Sequence, residues 1–418
     1  MVVFCDKYTE NVEKLRKTLR NMGQEVEIAV LQDDGFLPDE ILSPYEFFVY
    51  RDRMAKQPKR DLFYNFIPLP ELWEVRLVGW TGAIFDMGCE KAKIHFREPV
   101  EERKVLRVEW HMEDGWVYKI DHYNKYGLKY TSEFLDRDGR VESKVFYSEK
   151  NQEMVVEQPE NHVISILENG AVRNVFGSYV EFIEYYRKET GISEVDTIFV
   201  QEEKTLKLLE LTPEKSRKWT NILFTNDELC KLYQSMGGNN GIRFYAVPEW
   251  YPENHARAEA LILTASDQIE KLEYLIGELP ELTFHIAAHT QVSDKLHRLA
   301  ELNNVKIYPQ ISAQDLDRLW NGCDLYLDIN YYREIYDAVN SAHMKNMLII
   351  GFENTVHHKE LMAEECVFAE EDGEKVVSTI KKLWKDANLL QEKLEIQQRK
   401  KEEIWKKFVQ RGECGHGI

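Results

Sequence analysis

Val105-Leu106-Arg107-Val108-Glu109-Trp110 runs into Glu113-Asp114-Gly115. Trp116 to Tyr123 then meets Lys125-Tyr126-Gly127, and Leu128 to Leu135 meets Arg137-Asp138-Gly139. Val141 to Tyr147, Met154 to Val156, and Val163 to Leu167 before Asn169-Gly170 continue the pattern. Apolar and polar residues alternate with a period of two, and the turns carry aspartate-glycine or asparagine-glycine pairs. Tight hairpin turns need positive φ, so these pairs are strong short-range hairpin signals. The stretch from about Lys91 to Val175 therefore reads as an antiparallel β-meander.

The flanking sequence has a different rhythm. Val2 to Cys5 reads as a buried strand, Thr9 to Met22 as an amphipathic helix, and Val26 to Leu31 as a second strand, which implies a parallel sheet. Residues 36–80 read as irregular and aromatic. After the meander, Tyr179 to Lys188 reads as a helix, with strands at Thr197 to Val200 and Ile222 to Thr225. Pro248 and Pro252 then break the pattern, because proline biases the residue before it away from helix. Beyond them, strands at Ala260–Thr264, Thr283–Ala287, Val305–Tyr308, Leu325–Asp328, Met347–Gly351 and Cys366–Phe368 alternate with helices, one of them expected over Asp267 to Gly277. The fold class is α/β, with two doubly wound, Rossmann-like domains and the meander inserted in the first. The expected boundaries are 1–90 and 177–246 for the first α/β domain, 91–176 for the insert and 247–380 for the second α/β domain. Helices over 381–418 are expected to cross back to the first.

A chain of 418 residues, 43% of them hydrophobic, can bury two or three cores. Its formal charge of -19 repels phosphate backbones, so nucleic acid is not an expected partner. The six cysteines form no CxxC pair, which argues against a zinc site or a disulfide framework. No apolar run approaches the roughly 20 residues that span a bilayer. His111, His122, His343, His357 and His358 lack the spacing of metal ligands, and no metal or other cofactor is expected.

Three stretches carry a family resemblance: Pro70-Glu71-Leu72-Trp73-Glu74-Val75; Asp121 to Gly127 with Asp136-Arg137-Asp138-Gly139; and Asn321 to Leu325 through Leu348-Ile349-Ile350-Gly351-Phe352 to the Leu389–Gln397 helix. With them the chain resembles a GT-B glycosyltransferase. More narrowly, it is similar to the paired subunits of the O-GlcNAc transferase complex that glycosylates serine-rich repeat adhesins for the accessory Sec system. Active retaining members carry two glutamates separated by seven residues; Arg333 and Ser341 stand at those positions here. They also place an arginine and a lysine after the first strand of the second domain, where Lys271 is the only cation of residues 263–271 and Asp267 and Glu270 before it would repel phosphate. The glycine expected after the next strand is missing from Ile286 to Thr290.

The resemblance thus implies a non-catalytic subunit with two partners, a homologous catalytic O-GlcNAc transferase subunit and the adhesin polypeptide. The implied location is the cytoplasm. The basic tail helix bearing Ile404, Trp405 and Phe408 is expected to pack on the first domain or to touch the inner face of the membrane. An active retaining UDP-sugar enzyme using Glu334 and Asp337 as displaced carboxylates is the alternative, and a teichoic-acid-type sugar transferase would need the same missing glutamates. Asn330, Tyr331, Tyr332 and His289, at strand ends facing the cleft, are the expected acceptor contacts. The aromatic-rich meander, through Trp110, Trp116 and Tyr118, is the expected partner interface.

Overall fold

The computed structural model describes residues 2–50, 61–192, 197–208, 221–239 and 241–413. Cys414 and the last residues of the expected tail lie outside them. The chain divides into two compact units, Met1–Arg16 with Gln24–Phe244, and Lys17–Gly23 with Tyr245–Ile418.

In the first unit, strands β1 (Val2–Lys7), β2 (Glu27–Gln32) and β3 (Ile41–Leu42) are followed by the meander. It comprises β4 (Glu74–Val78), β5 (Thr81–Asp86), β6 (Cys89–Phe96), β7 (Val105–His111), β8 (Val117–Tyr123), β9 (Lys129–Leu135), β10 (Val141–Tyr147), β11 (Glu153–Gln158), β12 (Val163–Glu168) and β13 (Ala171–Phe176). Strands β14 (Thr197–Val200), β15 (Asn221–Phe224) and β16 (Gly241–Arg243) return to the first sheet, which is parallel in the order β16-β15-β14-β1-β2-β3. The meander forms one antiparallel sheet of ten strands in sequential order. Among the described residues, neither of its outer strands, β4 and β13, pairs with a further strand.

Two expectations are corrected here. The antiparallel sheet begins at Glu74, not at about Lys91, so β4 and β5 lie in sequence assigned to the first α/β domain. The supposedly irregular stretch also holds helix α2 (Pro44–Tyr50), the second helix after α1 (Glu10–Asn21). Nor is the insert self-contained. Phe146, Val155, Ile164 and Ile166 share one buried core with Phe4, Leu31 and Tyr45, and with Phe182 of α3 (Tyr179–Thr190). Glu157, only 7% exposed, accepts a hydrogen bond from the Tyr45 hydroxyl at 3.0 Å and another from Tyr179, tying β11 to both helices. The opposite end of the sheet has its own small core around Ile84, Ile94 and Val108.

After α4 (Glu203–Leu208) and α5 (Asp227–Ser235), the second unit has strands β17 (Glu259–Thr264), β18 (Thr283–Ala288), β19 (Val305–Tyr308), β20 (Leu325–Asp328), β21 (Leu348–Phe352) and β22 (Val367–Phe368). They form a parallel sheet in the order β19-β18-β17-β20-β21-β22. Ile262 faces one core, with α6 (Leu272–Glu278) and α10 (Gly373–Leu383), whereas Leu261 and Leu263 face another, with α8 (Ala313–Gly322) and α9 (Ala338–Met344). Parallel strands covered on both faces read as continuous apolar runs, as Ala260–Thr264 does. Helix α7 (Asp294–Leu299) links β18 to β19.

Helix α11 (Ala387–Glu413) belongs to the second unit, which also takes in Lys17–Gly23. Its docking face is polar as well as apolar. At successive turns, Gln397 accepts from Ile349 N and donates to Met347 O, Lys401 donates to Ala246 O and Asn340 Oδ1, and the Trp405 indole donates to Tyr245 O. Among the described residues no helix is long and apolar enough to cross a membrane.

Candidate functional site

In an open α/β sheet, ligands bind outside the carboxyl ends of the strands where the strand order reverses. In the second unit that point lies between β17 and β20, and the protein's own backbone occupies it. Ile269 forms an antiparallel bridge with Asn330. Glu270 N donates to Ile329 O at 2.8 Å and Tyr331 N to Gln268 O at 3.0 Å. Side chains reinforce this strap. The Tyr331 hydroxyl donates to Glu270, and that of Tyr332 donates to Gln268 Oε1 at 3.0 Å. The wholly buried Asp328 holds His357 through its backbone N–H and ring Nδ1, both at 2.7 Å, while His357 Nε2 lies 2.8 Å from Tyr332 O. Burial works against a charge on His357, but Asp328 and the Tyr332 carbonyl hold its pKa above the ordinary imidazole value. Each ring nitrogen faces an acceptor, and the ring anchors the strap to β20.

The strap explains why helix α6 starts at Leu272 rather than at Asp267: Lys271 takes φ 48° to leave the bridge. Lys271 Nζ sits 3.9 Å from Glu270, which offsets its charge.

The structure separates the expected acceptor contacts. Asn330, itself one half of the bridge, is 1% exposed and so does not lie open at the strand end as expected. Tyr331 is half-buried and bonded to Glu270, and Tyr332 is 67% exposed. His289 is exposed, but its Nδ1 pairs with the Tyr336 hydroxyl at 2.5 Å rather than with the tyrosine pair. Tyr336 was not singled out from the sequence. Of the displaced carboxylates, Glu334 accepts from Val339 N at 2.7 Å and faces His358 Nε2 at 3.0 Å, and Asp337 accepts from Asn340. Ser341 lies inside α9, and Arg333 is exposed.

At the corresponding reversal in the first unit, between β1 and β14, buried Asp6 accepts from Gln201 at 2.6 Å and Thr205 at 2.6 Å. Open space lies beside it, along the seam between the carboxyl end of β2 and the meander. A cavity of about 490 Å³ is lined there by Leu31, Tyr45, Phe146, Glu157 and Tyr179 among others. A second, of about 330 Å³, lies against Phe36, Leu106 and Tyr130. The two share Gln32, Asp33 and Lys144.

The expected interface aromatics are partly buried and have partners. Trp110 donates to Asp121 at 2.6 Å, Trp116 donates to Asp136 O at 2.8 Å under the Arg137 guanidinium, and Tyr118 packs on Trp116. Apolar groups open to solvent include Leu72 (82% exposed), Trp80 (64%) and Met87 (89%), at or beside the β4–β5 and β5–β6 turns, and Val172 and Val175 on β13 at the opposite edge.

Family models match three segments: the GtfB N-terminal domain over residues 3–48, the GtfB middle domain over 73–177, and the GftB/GlyA-F C-terminal domain over 260–397. A Streptococcus agalactiae protein described as the UDP-N-acetylglucosamine–peptide N-acetylglucosaminyltransferase stabilizing protein GtfB is 31% identical, over 92% of each chain. One of the same description from Limosilactobacillus reuteri is 28% identical over 97% of each. Among solved structures, a chain of the GtfA/B complex bound to UDP and GlcNAc superposes with a TM-score of 0.52 at 26% identity, covering 96% of both chains. TarM, at 11% identity and TM-score 0.50, shares the fold, which is that of GT-B glycosyltransferases. On this breadth of similarity, the chain belongs to the family of GtfB stabilising proteins.

Proposed function

We propose that this protein is the non-catalytic subunit of a peptide O-GlcNAc transferase, stabilising a homologous catalytic subunit and binding the serine- and threonine-rich adhesin chain that the complex modifies. The Ile269–Asn330 bridge carries the non-catalytic part of this reading, because it lies across the sheet edge where a nucleotide diphosphate would sit. Glu334, the carboxylate nearest to the expected catalytic position, serves as a helix cap and a histidine partner, which disfavours an active retaining enzyme. The relatives named as stabilising proteins, and the solved GtfA/B complex, support the pairing.

For the contact with the catalytic subunit, the solvent-facing Leu72, Trp80 and Met87 suit an interface better than the engaged Trp110, Trp116 and Tyr118. For the acceptor, Tyr332 and His289 remain exposed candidates in the second unit. The test is co-expression with the homologous catalytic subunit, followed by transfer of GlcNAc to an adhesin repeat. The pair should glycosylate the repeat, this chain alone should not, and the catalytic subunit alone should be poorly soluble. Transfer by this chain alone would overturn the proposal.

A further inference from the structure

The strap between the ends of β17 and β20 is strained on both sides. Lys271 takes φ 48° where the chain leaves the bridge for α6, and Tyr332 takes φ 72° where it leaves for α9, a backbone that residues other than glycine adopt at a cost. Within the bridge, Asn330 is 1% exposed, and its carboxamide oxygen has no hydrogen-bond partner among the described residues. A buried acceptor left unmatched is a second cost. Lifting the strap relieves both, since the two flanking residues relax and water reaches Asn330. The closed state therefore needs a latch.

His357 is placed to be that latch. Asp328, wholly buried at the end of β20, fixes its backbone N–H and ring Nδ1, and its Nε2 lies 2.8 Å from the carbonyl of Tyr332, one of the two strained residues. Imidazole can donate from both nitrogens only when it carries two protons. A neutral ring that keeps its Nδ1–H on Asp328 turns a lone pair toward the Tyr332 carbonyl, and the contact becomes repulsive. The charges acting on the ring come from Asp328 on β20 and Glu334 in the loop before α9. The adjacent His358 ring is turned to Glu334, Glu360 and the Tyr245 hydroxyl instead. Burial opposes a charge on His357, yet Asp328, the Tyr332 carbonyl and Glu334 together leave its pKa above the ordinary value.

We infer that the strap is a reversible gate over the carboxyl edge of the second unit's sheet, held shut by doubly protonated His357 and released when that ring gives up a proton. The inference goes beyond the proposed function, because it makes the closure of this edge conditional whether or not Tyr332 touches the acceptor. A raised pKa means that the latch is complete below the ordinary imidazole value of about 6.5 and is lost as pH rises through the higher folded value.

The test is amide hydrogen exchange of the full chain at about pH 6 and about pH 9, read as protection factors for peptides spanning Gln268–Lys271 and Ile329–Tyr332. From the lower to the higher pH, protection of the Glu270 and Tyr331 amides should fall about tenfold or more, while that of β18 should not fall. Lys401, which burial pushes down to about 7, makes the whole fold more stable as pH rises, so a fall confined to the strap is not global unfolding. His357→Ala should show the low protection at both pH values. Nitrogen NMR of the parent should find both His357 ring nitrogens protonated at about pH 6, an outcome that does not depend on the variant folding. Strap protection unchanged between the two pH values, full protection retained in a folded His357→Ala, or an unprotonated ring nitrogen at the lower pH would each overturn the inference.

Discussion

Ile269 and Asn330 pair as antiparallel neighbours across the carboxyl edge of an otherwise parallel sheet, and both are buried. A bound diphosphate would have to displace the flanking backbone bonds from Glu270 and Tyr331. Calorimetric titration with UDP or UDP-GlcNAc should therefore give no binding tighter than about 1 mM, an affinity of roughly 4 kcal/mol. Micromolar binding lost in Lys271→Ala would contradict this.

The tail helix predicts a pH effect. Burial pushes Lys401 down from its ordinary 10.5 to about 7, against the opposing pull of Asp337. Between about pH 7 and 10 the unfolded chain then holds a proton that the folded one lacks, so stability should rise with pH in that window, approaching about 1.4 kcal/mol per pH unit. Lys401→Met should lose this slope while keeping the helix docked, as denaturant titrations at pH 7, 8 and 9 would reveal. Parallel slopes for parent and variant would mean that Lys401 stays charged.

Glu157 joins β11 to Tyr45 and Tyr179 through both carboxylate oxygens. Glu157→Gln keeps the shape but turns one acceptor into a donor facing a hydroxyl. A loss of about 1–3 kcal/mol in the stability of the first unit is expected, read as a shift of the denaturant midpoint. No shift would mean that the tyrosines find other partners.

Removing residues 105–169 at their hairpin turns leaves the flanking strand pairing intact but takes Phe146, Val155, Ile164 and Ile166 out of the first core. The deletion should abolish cooperative unfolding. The pair Trp80→Ser with Met87→Ser removes mostly exposed surface, together with the contact of Trp80 with the Arg103 guanidinium. It should change stability by no more than about 0.5 kcal/mol per site while reducing co-purification of the catalytic subunit.

The hairpins whose turns carry Gly115, Gly139 and Gly170 were legible because only glycine adopts φ near 80° without strain, and all three do so. The β5–β6 hairpin was not. Its turn places Met87 at φ 46° before Gly88, and methionine gives no local turn signal. The late start of α6 was hidden for another reason. Residues 267–277 have helical periodicity, but hydrogen bonds to Ile329 and Tyr331, some sixty positions away, override it. The same long-range contact buries Asn330, which strand-end logic put in the open. The seam in the first unit was not legible either, since its walls come from segments more than a hundred residues apart.

Among the described residues, the ten-stranded sheet ends in two edges that pair with no further strand, β4 and β13, with Val172 and Val175 above 60% exposed on the latter. Such edges recruit any strand of suitable length, including those of another copy. The chain produced by itself is therefore expected to associate edge to edge, a state that light scattering on the isolated protein would reveal.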